Sequence, residues 1–135
     1  MTTWLLKTEP GTYAYADLAR DGKTRWDGVT NPVALKNIRR MAKGDPAFIY
    51  HTGDEKAVVG LARIASAPYL DPKDEGGKLA VVDLTPERPL KRPVTLAAVK
   101  ADPAFADFAL VRIPRLSVLE VPPALAKRLL KLGGG

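Results

Sequence analysis

Residues 46–64 read PAFIYHTGDEKAVVGLARI, and the way this stretch divides decides the fold. Pro46 to Tyr50 and Ala57 to Ile64 are short apolar runs bounded by polar residues, too short for buried helices and of strand length. The link between them, His51-Thr52-Gly53-Asp54-Glu55-Lys56, is polar and contains glycine, as a hairpin connection should be. Downstream, Tyr69 to Gly77 reads as a loop by its Pro, Asp and Gly content, and Lys78 to Leu84 as a further strand with Val81-Val82 buried. Three neighbouring strands predict a curled sheet or small barrel. Pro86, Pro89 and Pro93 then break the strand pattern.

Outward from this core, Thr3 to Lys7 is a short strand stopped by Glu9-Pro10-Gly11, and Leu116 to Val121 is the last strand. Between them lie helical segments. Tyr15 to Arg20 runs into the turn Asp21-Gly22. Asn31 to Lys43 places Leu35, Ile38 and Ala42 on one face and Lys36, Arg40 and Lys43 on another, with Gly44 as the stop. Thr95 opens a helix through Lys100, Pro103 starts a brief turn towards Phe108, and Pro122 to Leu132 closes the chain with Leu125, Leu129 and Leu132 inward. Trp4 and Phe48 read as core. The expected architecture is α+β: one domain over residues 1–135, a small mixed β-barrel surrounded by short helices.

Composition narrows the function classes. At 135 residues, with 46% hydrophobic and 27% charged residues, the chain suits a single globular domain. It has no cysteine and one histidine, which removes disulfides and most His/Cys zinc sites and suits a reducing cytoplasm. No signal-peptide pattern follows Met1, and no apolar run approaches a membrane span, so a cytoplasmic, monomeric protein without membrane contact is expected. A net charge of +6 favours an anionic partner.

The ligand is best placed at Arg25-Trp26-Asp27-Gly28-Val29-Thr30-Asn31-Pro32. Here an aromatic ring is followed by a glycine turn, and Asn31-Pro32 has the form of an N-cap with proline at the first helical position. An indole, a carboxylate and the N-terminus of a helix would then meet, a seat for a nucleobase stacked on Trp26 and read by Asp27, Asn31 and free backbone N–H groups. The other reading of Trp26 is half-buried core beside a plain turn. Enzymatic constellations are thin. His51 sits in a turn without a nucleophile motif, and there is no Gly-rich phosphate loop. Glu9 and Asp27 are the carboxylates a small hydrolase would use.

Several separated blocks, Trp4-Leu5-Leu6-Lys7-Thr8-Glu9-Pro10, Trp26-Asp27-Gly28-Val29-Thr30-Asn31, Gly44-Asp45 with Phe48-Ile49-Tyr50-His51-Thr52, Val59-Gly60, Leu110-Val111-Arg112 and Arg115-Leu116-Ser117-Val118, resemble the EVE domain in order and over essentially the whole chain. EVE domains belong to the PUA-like superfamily, alongside the YTH domains that read methylated adenine. The resemblance implies a PUA-like barrel and a non-catalytic pocket for a modified base, with no cofactor and no metal. Carried over residue by residue, it makes Lys7, Thr8 and Glu9 the pocket edge, Trp26 the aromatic wall, Asp27 and Asn31 its polar neighbours, and Tyr50, His51, Thr52, Arg115, Leu116 and Ser117 the rim. The chain departs from the family pattern at Thr8, where Ser is usual, at Thr30, where Arg is frequent, and at Pro32-Val33, where Tyr-Gln is frequent.

On this reading the partner is DNA or RNA bearing a modified base such as a methylated cytosine or adenine. Lys36, Arg39, Arg40, Arg88 and Arg92 are the candidates for backbone contacts. Each has a plainer reading: the basic stripe as a solvated face, His51 as a hydrogen-bonded turn residue, Ser117 as a turn cap. A general RNA-binding module acting through its basic faces, and a small hydrolase, are the alternatives.

Overall fold

The computed structural model describes residues 1–135. Its strands are β1 (Thr3–Thr8), β2 (Thr24–Trp26), β3 (Pro46–His51), β4 (Ala57–Ile64), β5 (Tyr69–Leu70), β6 (Ala80–Thr95) and β7 (Val118–Val121). The helices are α1 (Tyr15–Asp21), α2 (Pro32–Arg39), α3 (Leu96–Ala101), α4 (Ala109–Arg112) and α5 (Pro123–Leu132), with a 3₁₀ turn at Pro103–Phe105. The strands form one curled sheet, a half-barrel in the order β2-β6-β4-β3-β1-β7, with β5 also paired to β6. Only β1 and β3 run parallel, because α1, β2 and α2 intervene between them and carry the chain back to the same end of the sheet.

The predicted hairpin is the centre of this sheet: β3 and β4 pair from Pro46↔Arg63 to His51↔Ala57. Trp4, Leu5, Leu6, Phe48, Ile49 and Val58 are almost wholly buried at its middle, and Ile38, Phe105 and Leu129 from the helical segments belong to the same buried core. Fully burying such a side chain stabilises by about 1.5–3 kcal/mol, so this cluster holds the barrel. One polar device sits inside it. Asp45, 5% exposed, accepts from Trp4 Nε1 at 3.0 Å and from the Ala42 N–H at 2.9 Å.

Several elements differ from the sequence reading, each for a physical reason. Helix α2 stops at Arg39, short of Lys43, since Arg40 caps it, Met41 turns into the core, and the Asp45 carboxylate takes the Ala42 N–H out of helical register. Ala42 is therefore exposed and off the core face. Strand β6 does not end at Leu84 but continues to Thr95 through all the prolines. Pro86 and Pro89 face Ala62 and Gly60 where the register of β4 and β6 shifts, and residues 90–93 bulge opposite Val59 alone. A residue with no N–H to donate is tolerated at such irregularities. The bulge is backed by the C-terminus: Arg92 donates its N–H to Gly133 O and its Nε to Leu132 O. Strand β5 lies in the segment read as loop, helix α4 lies in a stretch given no element in the sequence reading, and β7 begins at Val118, with Leu116 and Ser117 before it. No helix is long and apolar enough to cross a membrane.

Candidate functional site

At one end of the sheet, where β1 and β2 finish, the chain leaves a hollow of about 680 Å³, within the usual size of ligand pockets. Its wall is built from β1, the β1–α1 turn, β2 and the segment leading to α2. Lys7 N–H bonds to Ser117 O at 2.9 Å and Thr52 N–H to Thr8 O at 2.9 Å, so the last residues of β1 are clamped between β7 and β3. Glu9 O then accepts from the Thr12 and Tyr13 N–H groups, closing the tight turn that brings Tyr13 to the hollow.

Trp26 lines the hollow but is not an open plane. It is 7% exposed and belongs to the hydrophobic core, so both readings of this residue apply at once. Tyr13 meets it edge-on, with ring centroids 6.4 Å apart and planes at 80°, so the two rings form an aromatic corner. Tyr13 donates its hydroxyl to Asp21 Oδ2 at 3.0 Å, and burial pushes its pKa up. After Trp26, Gly28 takes φ +79°, a left-handed conformation that lets the chain reverse into α2.

The polar edge is made of groups with spare capacity. Asp27 is exposed and makes no hydrogen bond or ion pair within the chain, so its carboxylate is open to accept. Glu9 accepts only from Gly11 N–H at 3.2 Å and weakly from Thr52 Oγ1 at 3.4 Å. Thr8 donates its hydroxyl to Tyr13 O at 2.7 Å and keeps its lone pairs. Asn31 is the N-cap of α2, its Oδ1 accepting from Val33 and Ala34 N–H, which leaves Nδ2 as a donor. The free backbone N–H groups expected at this helix start are thereby occupied, and Pro32 has none. Ser117 completes the edge.

A second hollow of about 510 Å³ adjoins the first, sharing Lys7, Thr8, Glu9 and Ser117 as the partition. Tyr50, Thr52 and Arg115 line this second space and not the first. Lys7 donates to Pro114 O at 2.8 Å and lies 5.6 Å from the Tyr50 ring centroid, with its pKa lowered by burial.

Two predicted rim residues face neither hollow. His51, 8% exposed, accepts from Tyr15 N–H through Nε2 at 2.9 Å and pairs with Glu55 through Nδ1 at 2.8 Å. Both ring nitrogens are committed, and the residue pins the start of α1 to the sheet. Leu116 is buried core at 6% exposure. The predicted backbone cations also lie away from both hollows. Arg40 sits 5.4 Å from the Trp4 ring and pairs with Glu120 at 2.8 Å, while Arg39 donates to Lys78 O. Arg88 and Arg92 pack against the C-terminal residues, and Lys36 is on the exposed face of α2. Sequence reasoning missed Tyr13, Thr12 and Thr24 around the first hollow, and Lys56 and Lys100 in the second, while Arg25, inside the stretch that places the ligand, does line the first. No group of His, Asp or Glu is gathered so as to hold a metal ion.

The model of the EVE domain matches residues 2–132 of this chain. The chain belongs to the EVE domain family. This EVE domain is 32% identical to thymocyte nuclear protein 1 of Homo sapiens over 124 residues, covering 73% of the chain and 55% of the relative. It spans little more than half the length of that curated relative. Among solved structures, a Rhodopseudomonas palustris protein determined by NMR is 42% identical with a TM-score of 0.94, over 99% of this chain and 94% of that one. Human THYN1 protein in complex with 5-methylcytosine-containing DNA is 27% identical with a TM-score of 0.91, over 100% and 99% of the two chains. The PUA-like mixed barrel of the EVE domain is thus the architecture seen here.

Proposed function

We propose that this EVE domain is a non-catalytic reader of a modified base in nucleic acid, taking the base into the hollow cornered by Trp26 and Tyr13. The observation that carries this reading is the pairing of that aromatic corner with open hydrogen-bonding groups at Asp27, Glu9, Thr8 and Asn31. The human structural neighbour bound to 5-methylcytosine-containing DNA supports the class of ligand.

A base needs a π-face, an edge reader and a place for its modification. Contact with an aromatic ring is worth about 1–3 kcal/mol per base, and the deep setting of Trp26 puts this protein's share at the lower end. Edge recognition must therefore carry selection. Asp27 or Glu9 accepts from an exocyclic amine such as the cytosine N4 group, and Asn31 Nδ2 donates to a ring nitrogen or carbonyl. A methyl group buried beside the rings adds about 0.8 kcal/mol, near fourfold in affinity. The base must leave a duplex stack at a cost of a few kcal/mol, so single strands are the easier substrate.

Titration of oligonucleotides carrying 5-methylcytosine or cytosine against the wild type, Asp27→Asn and Trp26→Phe tests this. The wild type should prefer the modified strand by several-fold. Asp27→Asn should lose about 10-fold or more, the worth of a hydrogen bond to a charged group. Equal binding of the modified strand by all three proteins would refute the pocket, and accumulation of a cleaved base would replace the reader with a hydrolase.

A further inference from the structure

The second hollow differs from the first in charge. Lys7, Lys56, Lys100 and Arg115 line it, against the single carboxylate of Glu9 in the partition. None of these cations is within ion-pair distance of a carboxylate, and Lys56, Lys100 and Arg115 donate to no group in the chain. By contrast the cations expected from sequence are largely spent: Arg40 on Glu120, Arg39 on Lys78 O, Arg92 on Leu132 O. Unpaired like charges around a concave space repel one another, and an anion relieves that repulsion.

The backbone shows the same emphasis at Lys56. It is the only non-glycine residue with positive φ, at +46°. Such a conformation is uncommon for a residue with a long side chain and, when the surroundings hold it, clusters at turns and ligand-binding segments. Here it is held by Leu96 N–H donating to Lys56 O at 2.8 Å, which ties the β3–β4 turn to α3. That tie brings Lys56 to the hollow also lined by Lys100 near the end of α3 and by Arg115 before β7.

We propose that this second hollow holds the sugar–phosphate backbone next to the base, with Lys56, Lys100 and Arg115 contacting phosphodiester oxygens. The proposal rests on the base-reading assignment of the first hollow. The partition of Lys7, Thr8, Glu9 and Ser117 separates the two functions: carboxylates at the base edge on one side, free cations for phosphate on the other. A nucleotide whose base enters the first space places its neighbouring phosphates over the partition, within reach of those cations. Affinity and salt dependence then come from one hollow and selectivity from the other.

The test uses the full chain and a single-stranded oligonucleotide, with 5-methylcytosine or cytosine at its centre, at a series of salt concentrations. The variant Lys56→Gln/Lys100→Gln/Arg115→Gln changes exposed side chains only, and Lys73→Gln/Lys127→Gln, exposed and lining neither hollow, is the distant control. Each single-strand phosphate contact contributes about 0.7 to the slope of log affinity on log salt. The triple variant should thus show a slope shallower by about 2, losing roughly 20-fold less affinity than the wild type between 50 and 200 mM salt, with its modified-over-unmodified ratio retained. The control should keep the wild-type slope. An unchanged slope in the triple variant overturns the phosphate assignment while a retained base preference leaves the reader standing. A lowered slope with no base preference in any protein supports the phosphate site and overturns the base pocket instead. Binding of neither oligonucleotide by the wild type overturns both.

Discussion

Replacing Gly60 with alanine should destabilise this domain by about 2–4 kcal/mol, against the ordinary sign of the substitution. Glycine inside a strand costs roughly 0.5–1 kcal/mol relative to alanine, so at a roomy position in β4 the change would stabilise. Gly60 is not roomy. A Cβ there would lie 2.5, 2.6 and 2.7 Å from the Tyr15 ring atoms Cε2, Cζ and Cδ2. Ordinary carbon contacts are about 3.5–4.0 Å, so the ring would have to retreat by about 1 Å. It is fastened at both ends: Tyr15 Oη donates to Leu61 O at 2.6 Å, and its N–H donates to His51 Nε2 at 2.9 Å. Overpacking costs about 1–3 kcal/mol, and displacement of a buried hydroxyl from its carbonyl about 1 more. With an unfolding entropy of about 2.1 cal/mol/K per residue, Tm should fall by roughly 7–14 °C. Thermal denaturation followed by circular dichroism measures this. The decisive control is the same substitution in a Tyr15→Ala background, where the cost of Gly60→Ala should vanish or change sign. A Tm for Gly60→Ala within about 2 °C of wild type, or the same loss in both backgrounds, would refute the steric reasoning.

Further outcomes follow from the polar devices. Asp45→Ala leaves Trp4 Nε1 and the Ala42 N–H without their partner and should cost about 1–3 kcal/mol, lowering the urea midpoint with little change in m. Asn31→Ala should cost about 1 kcal/mol of stability through the lost cap of α2, whereas Asn31→Ser should restore stability without restoring oligonucleotide binding if Nδ2 reads the base. Asp74 is held below its ordinary pKa by the backbone N–H groups of Leu79 and Lys78. A depressed carboxylate contributes stability at higher pH and loses it as pH falls through its folded value. The Leu79 and Lys78 amide resonances should accordingly titrate below the usual Asp value of about 3.9, and a midpoint at or above it would contradict the assignment.

The amino-acid order by itself determined the elements with strong local signals. The β3–β4 hairpin, the Asn31-Pro32 helix start and the Thr95 cap are written in apolar runs and in side chains that bond their own backbone. The blocks around Trp4, Trp26 and Ser117 marked the EVE family and the residues of the pocket edge. Other features had no local signature. The prolines of β6 read as breaks because only bulges in β6 itself, where its pairing with β4 shifts register, make room for them, and α2 ends early because Asp45, arriving from beyond the helix, captures the Ala42 N–H. Of the two readings of His51, a pocket rim by resemblance or a hydrogen-bonded turn residue, the fold decides for the second by bringing Tyr15 N–H to Nε2 beside the local Glu55 on Nδ1. The sequence likewise offered many cations without ranking them. Whether a cation is spent or free depends on which carboxylate or carbonyl the fold brings within about 3 Å of it, a long-range property set by packing. That is why Arg40 is engaged with Glu120 and Lys56 and Lys100 are left free beside the hollow.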